Sequence, residues 1–185
     1  MFYTFFKQGF THIVAIDALD HILFLLAIVA IYNFHQWKKI LWVVTSFTIA
    51  HSITLALSIT DILKIPSHIT EFLIAFTILF TCIENLFLPK WHTHRVLLTS
   101  VFGLVHGLGF SNVLRGLFMG IEFSWLDTLL PFNLGIEVGQ IVILAMLLCV
   151  IYFLRKYLKL PQDTIIKLFS IPVMVMSAYW MWERF

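Results

Sequence analysis

The sequence predicts an all-α fold, a polytopic membrane bundle of about six transmembrane helices, and three observations support this prediction. Of the 185 residues, 61% are hydrophobic and 12% are charged, whereas soluble chains are near half apolar and a quarter charged. The apolar residues form long runs, and a spanning helix needs about 20 such residues. Six helices of that length occupy about 120 residues, so residues 1–185 are expected to form a single integral membrane domain.

This composition also excludes several classes of protein. A secreted enzyme or a separate soluble domain has no room outside the apolar runs. The formal net charge of +2 is too small to indicate a nucleic-acid partner. The runs lack the alternation of polar and apolar residues that a membrane barrel requires. The expected partner at this stage is therefore membrane lipid, and a second copy of the chain is an alternative left open.

Charges, prolines and small polar clusters separate the apolar runs from one another. The predicted spans are residues 12–33, 40–60, 69–88, 96–110, 128–154 and 164–182. The first eleven residues, rich in aromatic side chains, are expected to lie at the membrane interface. Glycines four apart, Gly103/Gly107 and Gly135/Gly139, allow close helix packing or a break around a ligand. The fourth and fifth helices are therefore expected to be irregular.

Basic residues predict the orientation of the bundle. Loops after the first, third and fifth spans carry seven of them, whereas the two loops between carry only Lys64 and Arg115. The seven are Lys38, Lys39, Lys90, Arg95, Arg155, Lys156 and Lys159. By the positive-inside rule, the three basic loops lie in the cytoplasm and both termini lie outside.

Polar side chains within the spans are the candidate functional residues, because a charge at bilayer depth costs about 2.5–3.5 kcal/mol. Asp17, Asp20 and His21 share one face of the first helix. Along the fifth helix, one polar stripe is expected from Asn133, Glu137 and Gln140. The topology places these residues in the outer half of the membrane, with His51, Glu71 and His106, and places Glu84 with Asn85 toward the cytoplasm.

Histidines and carboxylates without thiolates are a ligand set suited to Zn, Ni, Co or Fe. A bound cation would also offset much of the cost of burying them. The predicted metal ligands are His21, His51 and His106, with Asp20 or Asp17 as a fourth ligand or as a group that orients a histidine. Each residue taken singly has an alternative role, an interhelical hydrogen bond.

Five sequence blocks carry a resemblance to a known family. In chain order they are GFTHIVAIDALDHILFLLAI, FTIAHSITLALS, EFLIAFTILFTCIEN, FGLVHGLGFS and FNLGIEVGQ. Together they resemble the HupE/UreJ family of bacterial inner-membrane proteins, in particular its second branch. The resemblance implies a nickel or cobalt permease. By motif, it implies functional roles for His12, Asp20, His21, His51, Glu71, Glu84, Asn85, His106, Asn133, Glu137 and Gln140.

Three functions follow as hypotheses, of which the least favoured is an accessory subunit whose polar cluster only assembles a complex. The resemblance favours transport of a nickel- or cobalt-like divalent ion through the outer His/carboxylate site, with Glu84, Asn85 and Cys82 as candidates for a second polar step. The alternative is an intramembrane zinc hydrolase or acyltransferase acting on a lipid or lipid-linked substrate. There the metal would activate water, and Glu137 or Asp17 would be the general base. A sealed inner half would favour the enzyme.

Overall fold

The computed structural model describes residues 1–15, 18–88, 94–109 and 124–185. Within these ranges the chain forms seven α-helices and no β-strand, which confirms the predicted all-α fold. The helices are α1 (Phe2–Val14), α2 (Leu19–Val29), α3 (Trp37–Ile59), α4 (Ser67–Phe87), α5 (Arg95–Gly109), α6 (Leu130–Lys156) and α7 (Gln162–Glu183). A 3-10 turn, Phe34–Gln36, precedes α3.

The lengths of the described helices make this a multi-pass membrane protein. Four of them, α3, α4, α6 and α7, are long and apolar enough to cross a membrane, and α1 with α2 adds a fifth if the pair is one span. Helix α5 has 15 residues and rises only about 22 Å, less than the ~30 Å of a hydrocarbon core. About six spans were expected, and the described residues contain four or five.

The N-terminal region differs from the predicted single helix over residues 12–33. Helix α1 begins at Phe2, and α1 and α2 are bent by 67° relative to each other. The first eleven residues therefore belong largely to a packed helix. A Cβ on Gly9 would overlap the carbonyl oxygen of Phe132 on α6, so the absent side chain permits this close packing. Hydropathy alone shows one apolar stretch here and gives no sign of its partner helix.

Two glycines allow α3 and α5 to approach closely. A Cβ added to Gly103 would overlap the carbonyl oxygen of Phe47, and one added to Gly107 would overlap that of His51. This is the close backbone approach that small residues permit between membrane helices. The contact brings the α3 backbone at His51 against α5 one residue after His106.

Irregular backbone occurs at the start of the predicted fifth span. A turn of π-helix, Trp125–Leu129, leads into α6, and the Ser124 side chain accepts a hydrogen bond from the Asp127 backbone N–H at 3.2 Å. The expected irregularity of this helix is thus found at its entry. The predicted fourth span corresponds to α5, which ends at Gly109. Residues 110–123 lie outside the described part of the chain.

The start of α3 and the end of α6 lie at one end of the bundle. There the ring centroids of Phe34 and Tyr152 are 5.9 Å apart. The basic residues that these two helices bring to this end are Lys38, Lys39, Arg155 and Lys156. We refer to this end as the basic end.

Candidate metal centre

Three histidines from three different helices converge inside the bundle. His12 lies on α1, His21 on α2 and His51 on α3, and one ligand atom from each lies within 4.8 Å of the others. The ligand atoms of a tetrahedral metal with bonds of about 2.1 Å are about 3.4 Å apart. A closing movement of about 1.5 Å or less would therefore bring the three nitrogens to bonding distance. These histidines could hold a metal ion.

Asp20 orients the imidazole of His21. Its Oδ1 atom accepts hydrogen bonds from Nδ1 of His21 at 2.9 Å and from the backbone N–H of His21 at 2.8 Å. Because a carboxylate oxygen only accepts, the proton of the ring is on Nδ1 and the lone pair is on Nε2. Carboxylates commonly orient metal-bound histidines in this way. Asp20 also lies in the first turn of α2, where the helix dipole stabilises a negative charge.

The buried nitrogens of this group fit a cation. Nε2 of His21 and both ring nitrogens of His51 are buried, and none has a hydrogen-bond partner among the described residues. A buried polar group without a partner costs about 1–3 kcal/mol. A metal ion bound to Nε2 of His21 and to one nitrogen of His51 would satisfy two of these three atoms.

His106 lies next to this group and has a different partner. Its ring centroid is 5.3 Å from that of His21, and its Nε2 atom is 3.0 Å from Oγ1 of Thr77. Nδ1 of His106 is buried and has no hydrogen-bond partner within the described part of the chain. The predicted role of His106 as a ligand stays a prediction, whereas His12, to which only the resemblance assigns a role, lies within the group of three.

The prediction of a single continuous helix is the reason that His12 was not grouped with the predicted metal ligands. His12 and His21 are nine residues apart, which corresponds to about 180° around one continuous helix and would put them on opposite faces. The bend between α1 and α2 removes that constraint. A signal was nevertheless present, because the first block of the resemblance begins with a histidine before the Asp20–His21 pair.

Glu137 and Gln140 face α3, as one polar stripe on α6 predicts. Glu137 Oε1 accepts a hydrogen bond from Oγ1 of Thr45 at 2.5 Å, and Gln140 Oε1 accepts one from Oγ1 of Thr48 at 2.7 Å. Thr45 precedes His51 by six residues, about 9 Å along the axis of α3. Glu137 therefore lies nearer the basic end than the histidine group does, and not at its level as expected.

Glu84 and Asn85 lie in a separate buried network. Oε2 of Glu84 is 3.3 Å from Nη1 of Arg95, and these side chains are 0% and 2% exposed. Nη2 of Arg95 donates to Oδ1 of Asn85 at 2.6 Å, and Nδ2 of Asn85 donates to Oγ of Ser170 at 3.0 Å. Arg95 thus neutralises the acid without a metal. The sequence predicts Arg95 in a loop, whereas it is the first residue of α5.

The remaining predicted residues lie apart from the three histidines or outside the description. Glu71 is 52% exposed, and its Oε2 atom is 3.9 Å from Nε of Arg184, which follows α7. Asn133 is half-buried on α6, and its Oδ1 has no hydrogen-bond partner among the described residues. Asp17 lies outside the described residues.

The sequence matches a known protein family. The family described as HupE / UreJ protein matches residues 1–184. Neither the curated proteins nor the solved structures gave a match.

Proposed function

This chain belongs to the HupE/UreJ family, and on that premise we propose that it moves a divalent metal ion, nickel or cobalt, across a bacterial inner membrane. One observation carries the proposal: His12, His21 and His51 present ligand atoms within 4.8 Å of one another from three helices. Imidazole nitrogens suit nickel, cobalt and zinc. The metal is here the transported substrate.

The looseness of the histidine group supports transport. Its nitrogens need to approach by about 1.5 Å to bind an ion, given the ligand spacing of about 3.4 Å in a tetrahedral site. Each histidine lies on a different helix, so this movement involves α1, α2 and α3. A site that closes around its ion and opens again is suited to uptake and release.

Release requires a second polar step toward the other face, and we propose that it runs between α3 and α6. Glu84 is neutralised by Arg95 and is therefore a poor site for a cation. Glu137 is half-buried and accepts a hydrogen bond from an uncharged threonine. The buried pair of Thr48 and Gln140 lies between the level of His51 and that of Glu137 along α3.

The basic end supports the proposed orientation. Four of the seven basic residues on which the topology rests lie there on α3 and α6, which is the end that the positive-inside rule assigns to the cytoplasm. Arg95 is buried in an ion pair and so has less weight in that count, and Lys90 lies outside the described residues. The proposed orientation still places both termini outside.

A second candidate function is an intramembrane zinc enzyme acting on a lipid or lipid-linked substrate. The Asp20–His21 pair favours it, because a carboxylate that orients a histidine is typical of zinc sites. An open zinc position could activate water. Glu137, about 9 Å along α3 from His51, is not positioned beside the three histidines to be the base, and Asp17 lies outside the described residues.

The deciding experiment combines metal binding with flux. Purified protein is titrated with Ni²⁺ and reconstituted into vesicles for Ni²⁺ uptake, alongside His51→Ala and, as a control, His68→Ala, which removes an exposed histidine. We expect exchangeable binding and uptake that His51→Ala abolishes and His68→Ala leaves intact. Stoichiometric zinc that survives chelator washing, without any flux, would favour the enzyme.

A further inference from the structure

A cavity of about 470 Å³ opens at the basic end, away from the histidine group. Residues 33–36, which connect α2 to α3, form one wall. The last turns of α6 form the other wall through Tyr152, Arg155 and Lys156. Its volume is within the range of small-molecule sites, about 300–1,000 Å³.

The two basic side chains at this cavity, Arg155 and Lys156, have no acidic partner within the described ranges. Nη1 of Arg155 donates to Oε1 of Gln162 at 3.1 Å, and Nζ of Lys156 donates to the hydroxyl of Tyr152 at 2.8 Å. Both of these partners are neutral. Among the described residues that line the cavity, none is acidic. The cavity therefore favours an anion.

The position of the cavity favours a lipid as the source of that anion. Phe34 and Tyr152 are 50% and 45% exposed at its rim, and aromatic side chains of this kind concentrate at the membrane–water interface. Along α6, Met146 and Val150 are also exposed and offer an apolar surface for acyl chains. Basic pockets between membrane helices on the cytoplasmic side bind anionic headgroups.

We infer that this cavity binds the phosphodiester headgroup of an anionic phospholipid. The phosphate would lie between Arg155 and Lys156, and the acyl chains would follow the exposed face of α6. Gln162 contacts Arg155, and its Nε2 atom donates to the carbonyl oxygen of Ala30 at 2.8 Å. The bound lipid would therefore connect the ends of α2, α6 and α7. Lipid binding should therefore stabilise the bundle, independently of metal transport.

The test compares thermal unfolding of the full chain in vesicles of phosphatidylcholine alone and with about one-third phosphatidylglycerol. For a bundle of this size, a stabilisation near 1 kcal/mol raises Tm by about 2–4 °C. We expect the anionic lipid to raise Tm by at least this amount. The double variant Arg155→Gln/Lys156→Gln should lose this increase. The control Lys38→Gln/Lys39→Gln removes the same charge from the same end and should retain it.

Two outcomes would overturn the inference. One is an equal Tm increase in the Arg155→Gln/Lys156→Gln variant, which would show that the anionic lipid acts elsewhere. The other is equal stabilisation of detergent-purified protein by inorganic phosphate or glycerol 3-phosphate, which would indicate a site for a free anion. If the double variant does not fold, Arg155→Gln alone is compared with Arg155→Lys, and only the charge-preserving change should keep the lipid effect.

Discussion

Nδ1 of His21 lies 2.9 Å from Oδ1 of Asp20, and this contact leaves Nε2 of His21 as the free ligand atom. The two residues are adjacent in sequence at the start of α2. The carboxylate therefore selects one tautomer of the imidazole and leaves Nε2, which is buried and has no hydrogen-bond partner among the described residues, able to bind a metal. An orienting role for Asp20 follows from this geometry.

Asp20→Asn tests that orienting role. An amide can present either its oxygen or its NH₂ group to Nδ1, so the tautomer is no longer selected and the basicity of Nε2 falls. We expect a 10- to 100-fold loss of Ni²⁺ affinity, the usual effect of losing such a partner, with little change in helicity. Isothermal titration measures the affinity, and Asp163→Asn, at an exposed position on α7, is the control. Unchanged affinity would assign Asp20 a purely structural role.

His12→Ala and His106→Ala distinguish the two possible third ligands. His12 belongs to the group with ligand atoms within 4.8 Å, whereas Nε2 of His106 is paired with Thr77. We expect His12→Ala to weaken Ni²⁺ binding at least tenfold and His106→Ala to weaken it less. X-ray absorption spectroscopy of the nickel complex counts the imidazoles in each variant. The reverse order of effects would support the ligand set predicted from the sequence.

Glu137→Gln separates binding from movement. The substitution keeps the shape and removes the charge about 9 Å along α3 from His51. We expect Ni²⁺ affinity at the histidines to change less than twofold, while uptake into vesicles falls tenfold or more. Thr45→Val, which removes the hydrogen-bond donor and keeps the acid, should have a smaller effect. Normal uptake by Glu137→Gln would exclude the proposed route between α3 and α6.

Glu84→Gln tests the buried pair with Arg95. Removal of one partner leaves a buried charge uncompensated, which costs about 3–5 kcal/mol, whereas replacement of both partners by apolar groups is often neutral. We expect Glu84→Gln to lower the unfolding temperature in detergent and Glu84→Leu/Arg95→Met to restore much of it. The control is Glu71→Gln, at an exposed acid. A loss of Ni²⁺ flux in the stable double variant would instead assign Glu84 to the transport path.

Much of the site was predictable from local properties of the sequence. Long apolar runs indicate membrane helices wherever they occur, because each helix satisfies its own backbone hydrogen bonds. The cost of a polar side chain in lipid indicates that residues such as His21 and His51 face the interior. These arguments do not depend on which helices are neighbours. They predict that His21, His51 and His106 lie close together, and the structure confirms this proximity.

The pairing of those interior residues depended on the tertiary structure. Arg95 neutralises Glu84 because α4 and α5 place the two charges 3.3 Å apart, and His12 joins the histidine group because α1 bends away from α2 and packs on α6 through Gly9. Burial cost acts on each residue by itself and can be read along the chain. Coulombic and coordination energies act between atoms on different helices, so only the packed bundle decides which acid receives an arginine and which histidines can share an ion.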